Sequence, residues 1–114
     1  MKLTRYEEAK PYVAPNHYDM RSLRLQGFEA GGPETFWVGT SHFLPGGGAG
    51  PDASPLEKVY VMLAGELTIT ANGVDTVLRS NDSCAIPGGE ERTVKNNSNH
   101  VASMIVIMPY PPKV

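Results

Sequence analysis

The sequence predicts a single all-β domain whose antiparallel strands form either a sandwich or a closed barrel. Its 114 residues are enough for one domain. Twelve glycines and ten prolines recur at short intervals between β-branched and aromatic runs, which is the pattern of short strands joined by tight turns. Helix signals are almost lacking, since Pro11 would stop the one candidate helical turn at residues 6–10.

Alternating apolar residues and the turn residues between them define the strands. In residues 21–26, Leu23 and Leu25 alternate with polar neighbours, as expected of a half-buried strand. Residues 45–55 contain four glycines and three prolines and are expected to form a loop. Further strands are predicted at residues 35–44, 58–63, 67–71, 74–78, 84–86, 92–95 and 101–108.

The pair Asn72-Gly73 is the strongest turn signal in the chain. A type I′ hairpin turn needs positive φ at both central residues, and Asn-Gly adopts that conformation at the least steric cost. Prolines at 109, 111 and 112 end the last strand. We therefore expect an N-terminal arm at residues 1–20, a barrel at 21–109 and a C-terminal tail at 110–114.

Composition narrows the function classes. Apolar residues make up 40% and charged residues 19% of the chain, which favours a folded protein. The net charge of -2 gives no reason to expect a nucleic-acid or membrane-surface partner. No apolar run reaches the roughly 18 residues of a membrane helix, and residues 1–8 lack the apolar stretch of a secretory signal. With Cys84 as the one cysteine, a cytoplasmic location is predicted.

Two segments resemble the conserved motifs of the cupin family. Residues 48–67 (GAGPDASPLEKVYVMLAGEL) resemble the first motif, a glycine loop followed by a strand that ends in Gly-Glu-Leu. Residues 81–96 (NDSCAIPGGEERTVKN) resemble the second, with its Pro-x-Gly element and closing asparagine. The resemblance covers about residues 20–108. It implies a double-stranded β-helix, or jelly-roll barrel, and a homodimer that pairs through its sheets and N-terminal arms.

The metal ligands of that family do not match this chain. Members usually hold a divalent metal with two histidines and a glutamate from the first motif and one histidine from the second. Here the first two positions fall within residues 51–54, where there is no histidine. The glutamate position is Lys58, one residue after Glu57, and the last histidine position is Arg92. Since neither cation offers a lone pair to a metal, no metal cofactor is predicted.

Lys58 and Arg92 are the leading candidates for ligand binding, because the resemblance implies that both point into the barrel. Two inward cations would bind an anionic small molecule, with the arginine gripping a carboxylate or phosphate through its planar fork. The alternative is that Lys58 lies on an outer face and that Arg92 pairs with a nearby carboxylate of Glu57, Glu90 or Glu91.

Three residues are candidates for catalysis. A lysine beside another cation in an apolar pocket has a lowered pKa, so Lys58 could act as a base or a Schiff-base nucleophile. Tyr60 and Met62 share the strand face of Lys58, and Tyr60 would bring a phenol into the cavity as a donor or acid. His42 lies mid-strand, where an inward ring would serve as an acid or base.

The remaining candidates complete the binding set. Met62 and Glu57 are predicted to contact the ligand, and His17 is predicted to cover the barrel mouth. Trp37 is either a stacking surface for the ligand or a core or dimer contact. Asp82 and Asn96 are expected to fix turns.

Three functions remain open from the sequence. The first is a metal-independent isomerase, cyclase or lyase acting on a small anionic or polar metabolite. The second is a non-catalytic sensor or carrier that uses the same cavity. The third is a metalloenzyme with an atypical site made from His42, Glu57 and perhaps His17. A fold shared by all three does not separate them.

Overall fold

A computed structural model describes residues 1–112 of the chain, so the last two residues of the predicted C-terminal tail lie outside the described part. Two 3-10 helical turns occupy Tyr6–Glu8 and Phe28–Ala30. The nine strands are β1 (Lys10–Tyr12), β2 (His17–Gln26), β3 (Phe36–Asp52), β4 (Lys58–Ala64), β5 (Leu67–Ala71), β6 (Val74–Leu78), β7 (Ser83–Ile86), β8 (Arg92–Lys95) and β9 (Ala102–Pro109).

All the strands join one antiparallel sheet that curls into a nearly closed barrel. Its order is β6-β5-β8-β3-β9-β4-β7, and β1 pairs with β2, which pairs with β3. The first part of β3 lies between β2 and β9, and its last part pairs with β8. The all-β prediction is confirmed, and the arrangement is the barrel of the two architectures that the turn pattern allowed.

The glycine-rich segment expected to form a loop is largely strand, because β3 continues through it to Asp52. A Cβ on Gly47 would lie 2.2 Å from the carbonyl oxygen of Asp19, and one on Gly48 would lie 2.3 Å from that of Val94. Only glycine allows neighbouring backbones to approach this closely. These glycines therefore permit strand packing, whereas the sequence suggested a flexible connection.

The hairpin between β5 and β6 is formed as expected. Asn72 and Gly73 have φ values of 51° and 71°, and the paired strands run from Leu67↔Leu78 to Ala71↔Val74. The segment expected to be an irregular arm also contributes strand: β1 lies within it, and β2 begins at His17. There, Lys10–Tyr12 pairs with residues 22–24 of β2.

The core consists of apolar side chains on the inner face of the barrel. It includes Phe43, Met62, Leu67, Val94 and Met104, each at most 1% exposed. Within residues 1–112, no helix has the length and apolar character needed to cross a membrane. The homodimer and the cytoplasmic location stay predictions.

A fully buried asparagine holds the turn after β8 against β3. Asn96 Nδ2 donates to the carbonyl oxygens of Phe43 (3.0 Å) and His100 (2.7 Å). Its Oδ1 accepts from the backbone N–H (3.0 Å) and the hydroxyl (2.7 Å) of Ser98. Asn96 thus fixes a turn, as expected, and also ties that turn to a second strand.

We predict that Asn96→Ala lowers the free energy of unfolding by about 2–4 kcal/mol, since it removes the buried donor to the Phe43 carbonyl and the acceptor of two Ser98 donors. Urea denaturation measures the change. Asn97→Ala is the matched control: this exposed side chain makes a 3.2 Å hydrogen bond to Thr68, and its loss should cost below about 1 kcal/mol. Equal effects of the two substitutions would contradict the anchoring role.

Candidate functional site

A cavity of about 290 Å³ lies inside the barrel. One part of its wall carries titratable side chains and the other is apolar. The polar and titratable residues that line it are His17, Arg24, Ser41, Asp52, Ser54, Lys58, Tyr60 and Arg92; the apolar and aromatic ones include Tyr12, Phe28, Trp37, Leu56, Met104, Val106 and Met108. The cavity is large enough for one small molecule and is the candidate functional site.

Strand β4 supplies two of the polar groups by simple alternation. Side chains of a strand point alternately to its two faces, and Lys58, Tyr60 and Met62 are buried while Val59 and Val61 are partly exposed. Lys58 is 4% and Tyr60 is 2% exposed. Lys58 therefore lies on the inner face of the barrel, and the alternative outer-face position does not occur.

Arg92 enters the cavity from β8 and is held by Tyr60. Its Nε donates a 2.8 Å hydrogen bond to the Tyr60 hydroxyl, and its side chain is 4% exposed. Within residues 1–112, Nη1 of Arg92 is buried with no hydrogen-bond partner. The ion pairs of this described part join Arg24 to Glu29 and Arg79 to Glu66, so the buried guanidinium has no carboxylate partner there.

Burial and mutual repulsion change the acidity of these groups. Burial, and next the charge of Arg92, lower the pKa of Lys58, whereas nearby Asp52 opposes this change. Burial also raises the pKa of Tyr60, although Arg92 counteracts part of the rise. Lys58 is thus an amine that releases its proton more readily than a surface lysine.

Asp52 is a site residue that sequence reasoning missed. It stands opposite Arg92 in the register of β3 and β8, and it is the one carboxylate among the residues that line the cavity in the described part of the chain. It lies within residues 51–54, the segment where the family resemblance places histidines. The resemblance marked these positions as site positions, but it predicted histidine ligands there, so the carboxylate of Asp52 was not identified.

His17 and Trp37 also line the cavity. Nδ1 of His17 donates a 2.7 Å hydrogen bond to the carbonyl oxygen of Pro15. Burial, with a smaller contribution from Arg92, lowers the pKa of His17, so its ring is neutral at physiological pH. Trp37 is packed edge-on against Tyr12, with 5.7 Å between ring centroids, and forms part of the apolar wall.

Three predicted site residues do not line the cavity. His42 shares hydrogen bonds of 2.8 Å with the Tyr6 hydroxyl and 2.6 Å with the Ser103 hydroxyl. Glu57 is exposed and lies directly before β4, outside the strand. Met62 is fully buried in the core. The structure thus gathers Lys58, Tyr60, Arg92, His17 and Trp37 and leaves these three elsewhere.

The residues present do not fit a divalent metal of the kind that the resemblance implies. Among residues 1–112, no group of three or more histidine, cysteine, aspartate or glutamate side chains is arranged to hold a metal ion. Two of the family's ligand positions are occupied by Lys58 and Arg92, which repel a cation. His42 and Glu57, proposed as parts of an atypical site, do not share the cavity.

Comparison with known proteins gives consistent matches. The cupin domain family model matches residues 39–108. The β-D-galactosidase Rv1717 of Mycobacterium tuberculosis is 46% identical over 111 residues, which are 97% of this chain and 96% of that protein.

Solved structures share the architecture at low sequence identity. The polyketide cyclase RemF from Streptomyces resistomycificus has a TM-score of 0.85 at 18% identity, covering 96% of this chain and 79% of that one. A sugar phosphate isomerase of the cupin superfamily from Silicibacter pomeroyi has a TM-score of 0.79 at 19% identity, covering 95% and 75%. At such identities the likeness concerns the fold alone.

The lowered pKa of Lys58 predicts a pH dependence of stability. Between that lowered value and the ordinary lysine pKa, the unfolded chain binds more protons than the folded one, so the free energy of unfolding rises with pH. Lys58→Met should flatten this rise. Urea denaturation from pH 7 to 10 in phosphate-free buffer measures it, with the exposed Lys10→Met as control. If the free energy of unfolding rises equally with pH in the wild type and in Lys58→Met, the lowered pKa of Lys58 is refuted.

Proposed function

Because the chain belongs to the cupin family, we propose that it is an enzyme that binds a small sugar in the barrel cavity and hydrolyses a β-galactoside there with its own side chains. The observation that carries the proposal is that an exposed carboxylate, Asp52, and a buried ammonium of lowered pKa, Lys58, line one cavity. A galactosidase-named relative at 46% identity over nearly the whole chain supports this choice of reaction.

The lining of the cavity suits a sugar ring. Sugars present apolar C–H faces and polar hydroxyl edges, and an aromatic wall beside hydrogen-bonding groups complements both. Trp37 and Tyr12 supply aromatic surface, while Ser41, Asp52 and Tyr60 supply polar atoms. A volume of about 290 Å³ accommodates one hexose with a small leaving group.

Hydrolysis of a glycoside requires a proton at the leaving oxygen and a base for the attacking water. Most glycosidases use two carboxyl groups for these roles, but Asp52 is the one carboxylate that lines this cavity in the described part of the chain. We assign the base to Asp52, which takes a proton as water attacks the anomeric carbon. Lys58 gives its proton to the departing oxygen, and exchange of protons with solvent restores both groups.

Tyr60 and Arg92 position these groups. The 2.8 Å hydrogen bond from Arg92 Nε to the Tyr60 hydroxyl fixes the orientation of the phenol. Burial, and next the charge of Arg92, lower the pKa of Lys58 and so favour loss of its proton. Arg92 is therefore a positioning residue for the acid in this scheme.

A second candidate, favoured by the same cavity, is a non-catalytic sugar carrier or sensor. Solved structures named as a cyclase and an isomerase share 18% and 19% sequence identity with this chain, so they do not favour the isomerase or cyclase alternative. Ligand binding with no turnover would select the carrier over the enzyme.

We predict that the protein, produced in a host lacking β-galactosidase, releases nitrophenol from para-nitrophenyl β-D-galactoside. Asp52→Asn and Lys58→Met should each lower kcat by about 10²–10⁴-fold, since each removes a proton-transfer group. The absorbance of nitrophenolate measures the rate.

Glu57→Gln is the control for loss of a carboxylate elsewhere, because Glu57 is exposed and does not line the cavity. The rate of this variant should stay within about twofold of wild type. Wild-type protein that binds galactose without turnover would overturn the hydrolase proposal. So would unchanged rates in both cavity variants, provided that circular dichroism shows them folded.

A further inference from the structure

The strongest unexplained feature of the cavity is the excess of buried positive charge. Lys58 and Arg92 are each 4% exposed, and Asp52 is the one carboxylate that lines the cavity within residues 1–112. His17 is neutral at physiological pH because burial lowers its pKa. Arg24 also lines the cavity, but it is paired with Glu29. Of the other charged lining groups, Lys58 and Arg92 are buried and Asp52 is exposed, so positive charges outnumber negative ones by one in a wall that is mostly apolar.

The geometry of Arg92 shows where a negative group would bind. Tyr60 occupies the Nε of the guanidinium at 2.8 Å, which fixes the plane of the fork. Nη1 is buried and has no hydrogen-bond partner in the described part of the chain. A Cβ on Gly50 would lie 3.1 Å from Nη1, so this side of the fork packs against β3. A buried guanidinium is normally satisfied by acceptors, so Arg92, which lines the cavity, lacks an acceptor in this part of the chain, and a ligand could supply one.

We infer that the sugar bound in this cavity carries a carboxylate, and that the Arg92 guanidinium, which lines the cavity without a carboxylate partner in the described part of the chain, binds it. This inference rests on the proposed function, because it names the substrate class of the same site. A carboxylate carries one negative charge, which matches the excess. It is also planar, like the guanidinium that would receive it. A galacturonide, with its carboxylate on C6 of a galactose ring, has this chemistry.

Lys58 and the carboxylate have separate roles in this arrangement. The carboxylate reduces the repulsion that Arg92 exerts on the Lys58 ammonium, so Lys58 keeps its proton until the leaving oxygen takes it. An uncharged galactoside would leave that repulsion in place and the Arg92 donor unmet. The site should therefore bind the acidic sugar more tightly than an uncharged galactoside.

Isothermal titration of the full chain with D-galacturonate, D-galactose and D-galactose 6-phosphate tests the inference. We expect galacturonate to bind at least tenfold more tightly than galactose, and Arg92→Met to remove the difference. Arg79→Met is the matched control, since Arg79 is an exposed arginine whose ion pair with Glu66 lies outside the cavity; it should keep the preference.

Thermal unfolding shows whether Arg92→Met is folded. If it is not, Arg92→Lys replaces it: this variant keeps the charge but loses the planar fork, and it should reduce the preference at least threefold. Equal binding of galactose and galacturonate by the wild type overturns the inference while the hydrolase proposal stands. Tighter binding of the phosphate overturns the carboxylate assignment. Binding of none of the three sugars overturns both the inference and the proposed sugar site.

Discussion

The close approach of β3 to two other strands is the constraint on which the structure depends. At Gly47 and Gly48 the neighbouring carbonyl oxygens of Asp19 and Val94 lie where a Cβ would stand. Any larger residue would push these backbones apart. Because this packing is allowed, β3 pairs with β2 and β9 along its first part and with β8 along its last part, which brings Asp52 opposite Arg92. The cavity and its carboxylate are thus consequences of a local backbone requirement.

The second constraint is electrostatic. Burying two cations in a barrel of this size is unfavourable unless something offsets the loss of hydration. The Tyr60 hydroxyl satisfies one donor of Arg92, and Asp52 provides partial compensation for Lys58. Neither forms an ion pair within 4 Å among the described residues. A core packed only with apolar residues would be more stable, so the two buried cations are not explained as a source of stability.

The sequence predicted those parts of the fold and the site that depend on neighbouring residues alone. The hairpin followed from Asn72-Gly73, and the inward positions of Lys58 and Tyr60 followed from strand alternation and the family resemblance. Asp52 was missed because residues 45–55 combine glycine and proline, which propensity assigns to a loop, whereas their role depends on strands distant in sequence. The position of His42 was equally inaccessible, since β3 carries apolar residues on both faces and gives no signal of which face is inside.

The charge of the cavity depends on which side chains occupy two positions of the barrel. At Lys58 and Arg92, the scaffold supplies inward-facing, buried positions regardless of which side chain occupies them. Histidine and carboxylate there would attract a metal cation, whereas lysine and arginine repel it and attract an anion. The cation at one of these positions also affects the other: after burial, the charge of Arg92 is the next cause that lowers the pKa of Lys58. At these two positions the chain thus carries cations in place of metal ligands, and burial together with the charge of Arg92 lowers the pKa of the Lys58 amine.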